Sequence, residues 1–149
     1  MNQDFNNLVY SIEDLKKYEL QRFDIPIAEG KMTIKETIAH IYRWDEFLLE
    51  TAIPLFVSER AVSFLNFDEF NYNSIKFAET ITTNELLELT KLTRTKLIDE
   101  FKKLDTLLVE KITINGKSDE KYNLLYLIDD FVEHDTHHLN QIYEFVRRN

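Results

Sequence analysis

Apolar residues recur at helical spacing over four stretches of the chain, and this pattern predicts four long helices. These stretches span about residues 5–22, 33–56, 82–104 and 118–147. Four helices without a recognisable sheet pattern predict an all-α fold, a four-helix bundle in which residues 1–149 form a single domain. The apolar positions of the first helix are Phe5, Leu8, Val9, Ile12 and Leu15.

Helix-start signals support three of these segments. Thr33 with Glu36, and Thr82 with Glu85, have capping-box spacing, in which each side chain bonds the backbone N–H of the other residue. The run Ser118–Glu120, a serine followed by two acids, predicts the start of the last helix, because acids are favourable at the positive end of a helix dipole.

The segments between the predicted helices are less regular. Pro54 is expected to end or kink the second helix. Residues 57–81 are rich in aromatic side chains without clean periodicity, which predicts short helical turns and loops over the bundle. Their rings belong either to the core or to the lining of a pocket. Residues 105–117 predict a connector in which 107–114 alternates weakly and Asn115–Gly116 signals a turn.

Composition favours a helical fold and limits the classes of binding partner. Two glycines in 149 residues are few for a fold built from tight β-turns. A net charge of −9, with no basic stripe, predicts that the chain does not bind nucleic acid. No apolar run reaches the length of a membrane span, and no export signal is recognised, so we expect a cytoplasmic protein without a membrane partner. Without cysteine, there is no thiolate ligand or cysteine nucleophile.

Three of the four histidines lie close together on the last predicted helix. At 100° per residue, His134 and His138 share its apolar side, whereas His137 lies toward the polar flank with Gln141. Two imidazoles one turn apart can share a metal ion.

Catalytic zinc usually takes three protein ligands, and His40 is the candidate for the third because it is the histidine outside the last predicted helix. His40 lies on the second predicted helix, in a flanking apolar stripe with Trp44 and Phe47, and in a bundle it can meet the last helix across the core. The alternative is that these are ordinary histidines, hydrogen-bonded in a polar layer.

The histidine-bearing segments resemble signatures of the DinB-like four-helix bundles. The run Met32–Asp45 resembles the second-helix signature, with its first histidine about seven residues after the helix start. The run Glu133–Ile142 resembles the last-helix signature of two histidines at a spacing of four, followed by a nearby glutamine. Phe67–Asn71 also fits the family pattern before the third helix.

The resemblance implies a divalent metal, zinc or nickel, held by His40, His134 and His138, and it implies a homodimer. Activities in this superfamily include metal-dependent transfer of low-molecular-weight thiols onto electrophiles. We therefore predict a metal-dependent thiol S-transferase whose nucleophilic sulfur is supplied by a small thiol, since a metal deprotonates a coordinating thiol. The alternatives are a metal-assisted hydrolase and a non-enzymatic stress-response or binding module with a structural metal.

Three further residues are candidates for supporting roles. Asp45 falls within the apolar stripe of the second helix, so it either orients a metal ligand or is a satisfied buried carboxylate. His137 and Gln141 either hold substrate or assist proton transfer, or they are part of a solvated helix flank.

Overall fold

The computed structural model describes residues 3–64, 66–118 and 123–148. Within them lie six α-helices and three two-residue strands. The helices are α1 (Asn7–Leu15), α2 (Ile34–Phe47), α3 (Ile53–Glu59), α4 (Phe67–Ala78), α5 (Thr83–Leu104) and α6 (Leu124–Arg148). The strands are β1 (Ala61–Val62), β2 (Thr113–Ile114) and β3 (Lys117–Ser118). Short 3₁₀ segments cover Gln3–Asn6, Leu20–Asp24 and Asp105–Val109, and a π-helical turn covers Leu48–Ala52.

The predicted bundle is confirmed, with α1, α2, α5 and α6 as its four members. Helix α2 packs extensively against α5 and also contacts α6, while α1 packs along α5. Helix α4 lies against α2 from the outside. None of the described helices is long and apolar enough to cross a membrane.

The first helix is shorter than the predicted span of 5–22. Helix α1 ends at Leu15, and the chain continues through the 3₁₀ segment Leu20–Asp24. The reason is that the exposed Lys16 and Lys17 offer no apolar face to continue the stripe. Phe23, which is fully buried, anchors the 3₁₀ segment to the core instead.

Helix α2 starts at the predicted capping box. The backbone N–H of Glu36 donates to Thr33 Oγ1 at 3.0 Å, and the N–H of Thr33 donates to Glu36 Oε1 at 2.8 Å. The helical path then continues past Pro54, because a π-helical turn precedes it and Pro54 lies in the first turn of α3, where its missing N–H costs little. Arg60, with a left-handed φ of 55°, ends α3.

We expect Thr33→Ala to lower the free energy of unfolding by about 1 kcal/mol, because it leaves the backbone N–H of Glu36 without its side-chain partner. Urea denaturation monitored by circular dichroism measures the change. Thr95→Ala is the matched control, since the Thr95 hydroxyl donates to a backbone carbonyl within α5 and caps no helix start. Equal effects of the two substitutions would contradict a capping role.

Residues 57–81 contain a full helix, α4, where short turns and loops were predicted. Asn66 caps it, with its Oδ1 accepting from the N–H of Glu69 at 2.9 Å. Only Phe70, Ser74 and Ala78 of this helix are buried, a narrow face one residue wide. Its aromatic residues lie largely off that face, which is why no helical period was visible in the sequence.

The last helix begins at Leu124 and not at residue 118. Ser118 lies in β3, paired with Thr113 of β2, while the two predicted first-turn acids at 119 and 120 lie outside the described residues. The cap is Asn123, whose Oδ1 accepts from the N–H of Tyr126 at 2.8 Å.

The predicted turn at Asn115–Gly116 is confirmed. Both residues have positive φ, 51° and 77°, as a two-residue hairpin loop between β2 and β3 requires. Strand β1 pairs in parallel with β2. The small sheet therefore ties the segment after α3 to the connector before α6.

A polar layer divides the hydrophobic core of the bundle into two clusters. One cluster contains the first half of α6 and the second half of α5, and the other contains the start of α2 and the second half of α6. Between them lie the buried polar side chains His40, Asp45, Arg94 and Asp135.

Candidate metal centre

Three histidines from two helices converge in the polar layer. Nε2 of His134 lies 3.1 Å from Nε2 of His40 and 3.1 Å from Nε2 of His138. One ligand nitrogen from each of the three lies within 4.8 Å of the other two. The long-range meeting of α2 and α6 expected from the sequence is thus present in the fold.

The donor set fits a divalent transition metal. With Zn–N distances of about 2.0–2.1 Å, two nitrogens of a tetrahedral site lie roughly 3.3 Å apart, close to the separations seen here. His40 is buried and His134 and His138 are half-buried. Three imidazole ligands leave a coordination position for a further group, as in catalytic zinc sites.

The surroundings keep these imidazoles in the neutral, ligating form. Burial, with the neighbouring His134 and His138, lowers the pKa of His40 to about 3. Burial, with His134 and His137, lowers the pKa of His138 to about 4, and Gln141 acts weakly in the opposite direction. Burial and His137 also lower the pKa of His134.

These shifts predict how zinc affinity depends on pH. A proton competes with a metal for the same nitrogen, and a free histidine would compete below about pH 6.5. Because the folded pKa values are lower, we expect affinity to begin to fall at a lower pH than it would for free histidines and to be largely lost as the solution approaches about pH 4. Competition with a chromophoric chelator measures the profile. A fall that begins near pH 7 would contradict it.

Among the residues that the structure describes, Asp45 forms no hydrogen bond with the three histidines. Its two carboxylate oxygens accept from Nε and Nη2 of Arg94, at 2.7 and 2.8 Å. Of the two roles predicted for Asp45, this geometry matches the satisfied buried carboxylate. Burial raises the pKa of Asp45, whereas the opposing charge of Arg94 lowers it.

Sequence reasoning missed Arg94 and Asp135, which complete this buried group. Nη1 of Arg94 donates to Asp135 Oδ2 at 2.8 Å and to the carbonyl of Phe5 at 3.1 Å. The guanidinium lies 4.1 Å from the centre of the Phe5 ring. One feature of the sequence could have identified Arg94, namely a charged residue on an otherwise apolar helix face. Arg94 lies two helical turns after Leu87 and two helical turns before Phe101.

The other two candidates lie outside the cluster. His137 and Gln141 are both exposed, and the His137 ring centroid is 5.4 Å from that of His138. Neither lines the pocket that opens beside His40 and His134. Their predicted roles in substrate binding or proton transfer stay predictions.

A pocket of about 440 Å³ opens beside the histidines. His40 and His134 form part of its wall, which connects the pocket to the cluster. The rest is largely aromatic and aliphatic, with three polar side chains. These lining residues are Trp44, Phe64, Phe67, Phe131, Ile114 and Leu127, and the polar Asn71, Asn115 and Asp130. Thus two rings of segment 57–81, Phe64 and Phe67, line a pocket.

The fold and the histidine cluster define the class of protein. The chain belongs to the DinB superfamily, whose model matches residues 4–142. The resemblance inferred from the two histidine motifs is therefore confirmed.

Among solved structures, the chain is similar to YfiT from Bacillus subtilis, with a TM-score of 0.79 and 17% sequence identity. The match covers 98% of this chain and 83% of YfiT. YfiT is described as a probable metal-dependent hydrolase with an unusual four-helix bundle topology. At this identity the likeness shows a shared fold. A comparison with curated proteins finds no match.

Proposed function

We propose that this protein is a metal-dependent enzyme that transfers a low-molecular-weight thiol onto an electrophile. The proposal depends mainly on one observation, that three imidazole nitrogens converge beside an aromatic pocket, with His40 and His134 in its wall. His40, His134 and His138 would hold the metal. A divalent ion held there supplies Lewis-acid chemistry by lowering the pKa of a thiol that coordinates it.

The chain's own residues would contribute in three ways. The neutral imidazoles bind the ion without cancelling its charge, which favours an anionic sulfur nearby. The aromatic wall holds the apolar part of an electrophile and excludes water around it. Because the sequence has no cysteine, the nucleophilic sulfur must enter with a substrate. In the transfer, a carbon–sulfur bond forms, the thiol loses its proton to solvent, and any leaving group departs with its bonding electrons.

A metal-assisted hydrolase is the second candidate, and Asp130 favours it. This carboxylate lines the pocket one turn before His134. Burial, with the nearby Glu133 and Asp129, raises its pKa. Such a carboxylate is suited to accepting a proton from an attacking water. The description of YfiT as a probable hydrolase is in line with this alternative.

One assay series separates the candidates. Protein loaded with zinc or nickel is incubated with chlorodinitrobenzene, with and without cysteine as the thiol, and separately with p-nitrophenyl acetate. Thiol-dependent turnover that His138→Ala abolishes supports the transferase. Thiol-independent ester hydrolysis that needs Asp130 supports the hydrolase. Stoichiometric metal without turnover across broader panels of thiols and electrophiles supports the non-enzymatic module and contradicts both.

The identity of the metal and the homodimeric state are part of the same proposal. Elemental analysis of the purified protein identifies the metal as zinc, nickel or another ion. Sedimentation equilibrium tests the proposed homodimer, which would have twice the chain mass of 17.9 kDa.

A further inference from the structure

The pocket wall presents an unusual concentration of aromatic rings. The ring centroids of Phe64, Phe67 and Phe131 lie 6.0, 5.6 and 6.1 Å from that of Trp44. Their planes are inclined to Trp44 by 63°, 50° and 65°, so the rings surround the indole without stacking on it. Phe67 is 57% exposed, an apolar surface available to a ligand.

The charge of the lining is negative. Asp130 is its only acid, and no lysine or arginine belongs to the lining formed by the described residues. The nearby Arg43 packs against Phe77 and pairs with Glu46. Asp129 and Glu133 on the same helix add negative potential around Asp130.

The other polar side chains of the wall use their oxygens within the protein. Asn71 Oδ1 accepts from the indole N–H of Trp44 at 3.2 Å, and Asn115 Oδ1 accepts from the N–H of Phe64 at 2.7 Å. The Asp130 carboxylate therefore remains as the strong acceptor that the wall offers to a bound molecule.

We propose that this pocket selects an organic cation with an aromatic ring, an electrophile that carries an arylalkylammonium group, as the substrate that reacts beside the histidines. The ring would pack among Trp44, Phe67 and Phe131, and the ammonium group would lie against Asp130. Aromatic faces attract cations, and a carboxylate adds a charge-assisted hydrogen bond. The substrate role depends on the proposed function, whereas the binding preference does not.

The position of Asp130 relative to the histidines orients such a ligand. Asp130 precedes His134 by four residues, about 6 Å along the helix axis. A divalent ion at the histidines would repel a nearby positive charge. The ammonium group is therefore expected at the Asp130 end of the pocket, and the preference for cations is expected to be greater without metal.

The fluorescence of Trp44 provides a direct test, because it is the only tryptophan in the chain and lines the pocket. Benzylamine, benzyl alcohol and benzoate are titrated against metal-free and zinc-loaded protein at pH 7. We expect benzylamine to bind about tenfold more tightly than benzoate, with benzyl alcohol intermediate. Saturable quenching by none of them, equal affinities, or a preference for benzoate would overturn the proposal.

Two charge-neutralising variants assign the preference to the pocket wall. Asp130→Asn is expected to weaken benzylamine binding about tenfold and to leave benzyl alcohol within about twofold. Asp129→Asn, on the same helix but outside the lining, is the matched control and is expected to leave both within about twofold. Equal losses in the two variants would indicate a general field effect and overturn the assignment to Asp130.

The preference of the pocket for benzylamine does not depend on catalysis. His138→Ala removes a proposed metal ligand that does not line the pocket, so it is expected to keep the preference for benzylamine. Absence of turnover in the metal-loaded parent protein, with this preference intact, would overturn the proposed function alone. Turnover with no such preference would overturn only the selection of cations.

Discussion

Replacing His138 with alanine is expected to weaken metal binding so far that the protein no longer retains stoichiometric metal through dialysis. Structural zinc sites bind with about 10–16 kcal/mol shared among four ligands, so losing one imidazole costs about 3 kcal/mol, or roughly 100-fold in affinity. The half-buried His138 also has no equivalent that could replace it, because the remaining histidine, His137, is exposed. Elemental analysis after dialysis and titration against a competing chelator measure the loss.

His137→Ala is the matched control for this experiment. It removes a histidine adjacent in sequence, on the same helix, that is not one of the three converging ligands. We expect it to keep about one equivalent of metal per chain. If His138→Ala also retained one equivalent, the ligand assignment would be wrong, and the polar-layer interpretation of the histidines would be favoured.

Replacing Arg94 with methionine is expected to lower the free energy of unfolding by about 3–5 kcal/mol. The guanidinium is fully buried and forms ion pairs with Asp45 and Asp135, so its removal leaves two buried carboxylates without a partner. Urea denaturation measures the loss. Lys91→Met, on the same helix but in a surface ion pair with Glu13, is the control and is expected to cost less than about 1 kcal/mol.

A combined variant separates lost pairing from lost packing. Changing Asp45 and Asp135 to leucine together with Arg94→Met removes the charges along with their partner, and it is expected to recover much of the stability. A combined variant as unstable as Arg94→Met would show that the loss comes from the packing of Arg94 on Phe5. An Arg94→Met variant within about 1 kcal/mol of the parent would contradict a structural role for the buried ion pairs.

The sequence predicted those features that depend on neighbouring residues. The capping box at Thr33 and the turn at Asn115–Gly116 each involve residues within three or four positions of one another. A short stretch of sequence is therefore sufficient to predict them. The pairing of His134 with His138 also follows from helix geometry alone. Their meeting with His40 was inferred from the residue types and the fold, and the packing of α2 and α6 provides it.

The features that were missed depend on distant or unusual packing. Arg94 pairs with Asp45 and Asp135 across separations of 49 and 41 residues, and no local pattern identifies such partners. Helix α4 buries so narrow a face that its aromatic residues do not show a period. The pocket needs the hairpin residue Asn115 beside Phe64, a contact across 51 residues.

The order of the helices affects when the metal centre can form during synthesis. His40 and His134 are separated by 94 residues, and α2 precedes α6 in the chain. A nascent chain that has not yet produced α6 therefore presents a single imidazole of the set. An ion held by all three histidines would then bind only after translation of the last helix, so it would stabilise the assembled bundle and could not template its first helices.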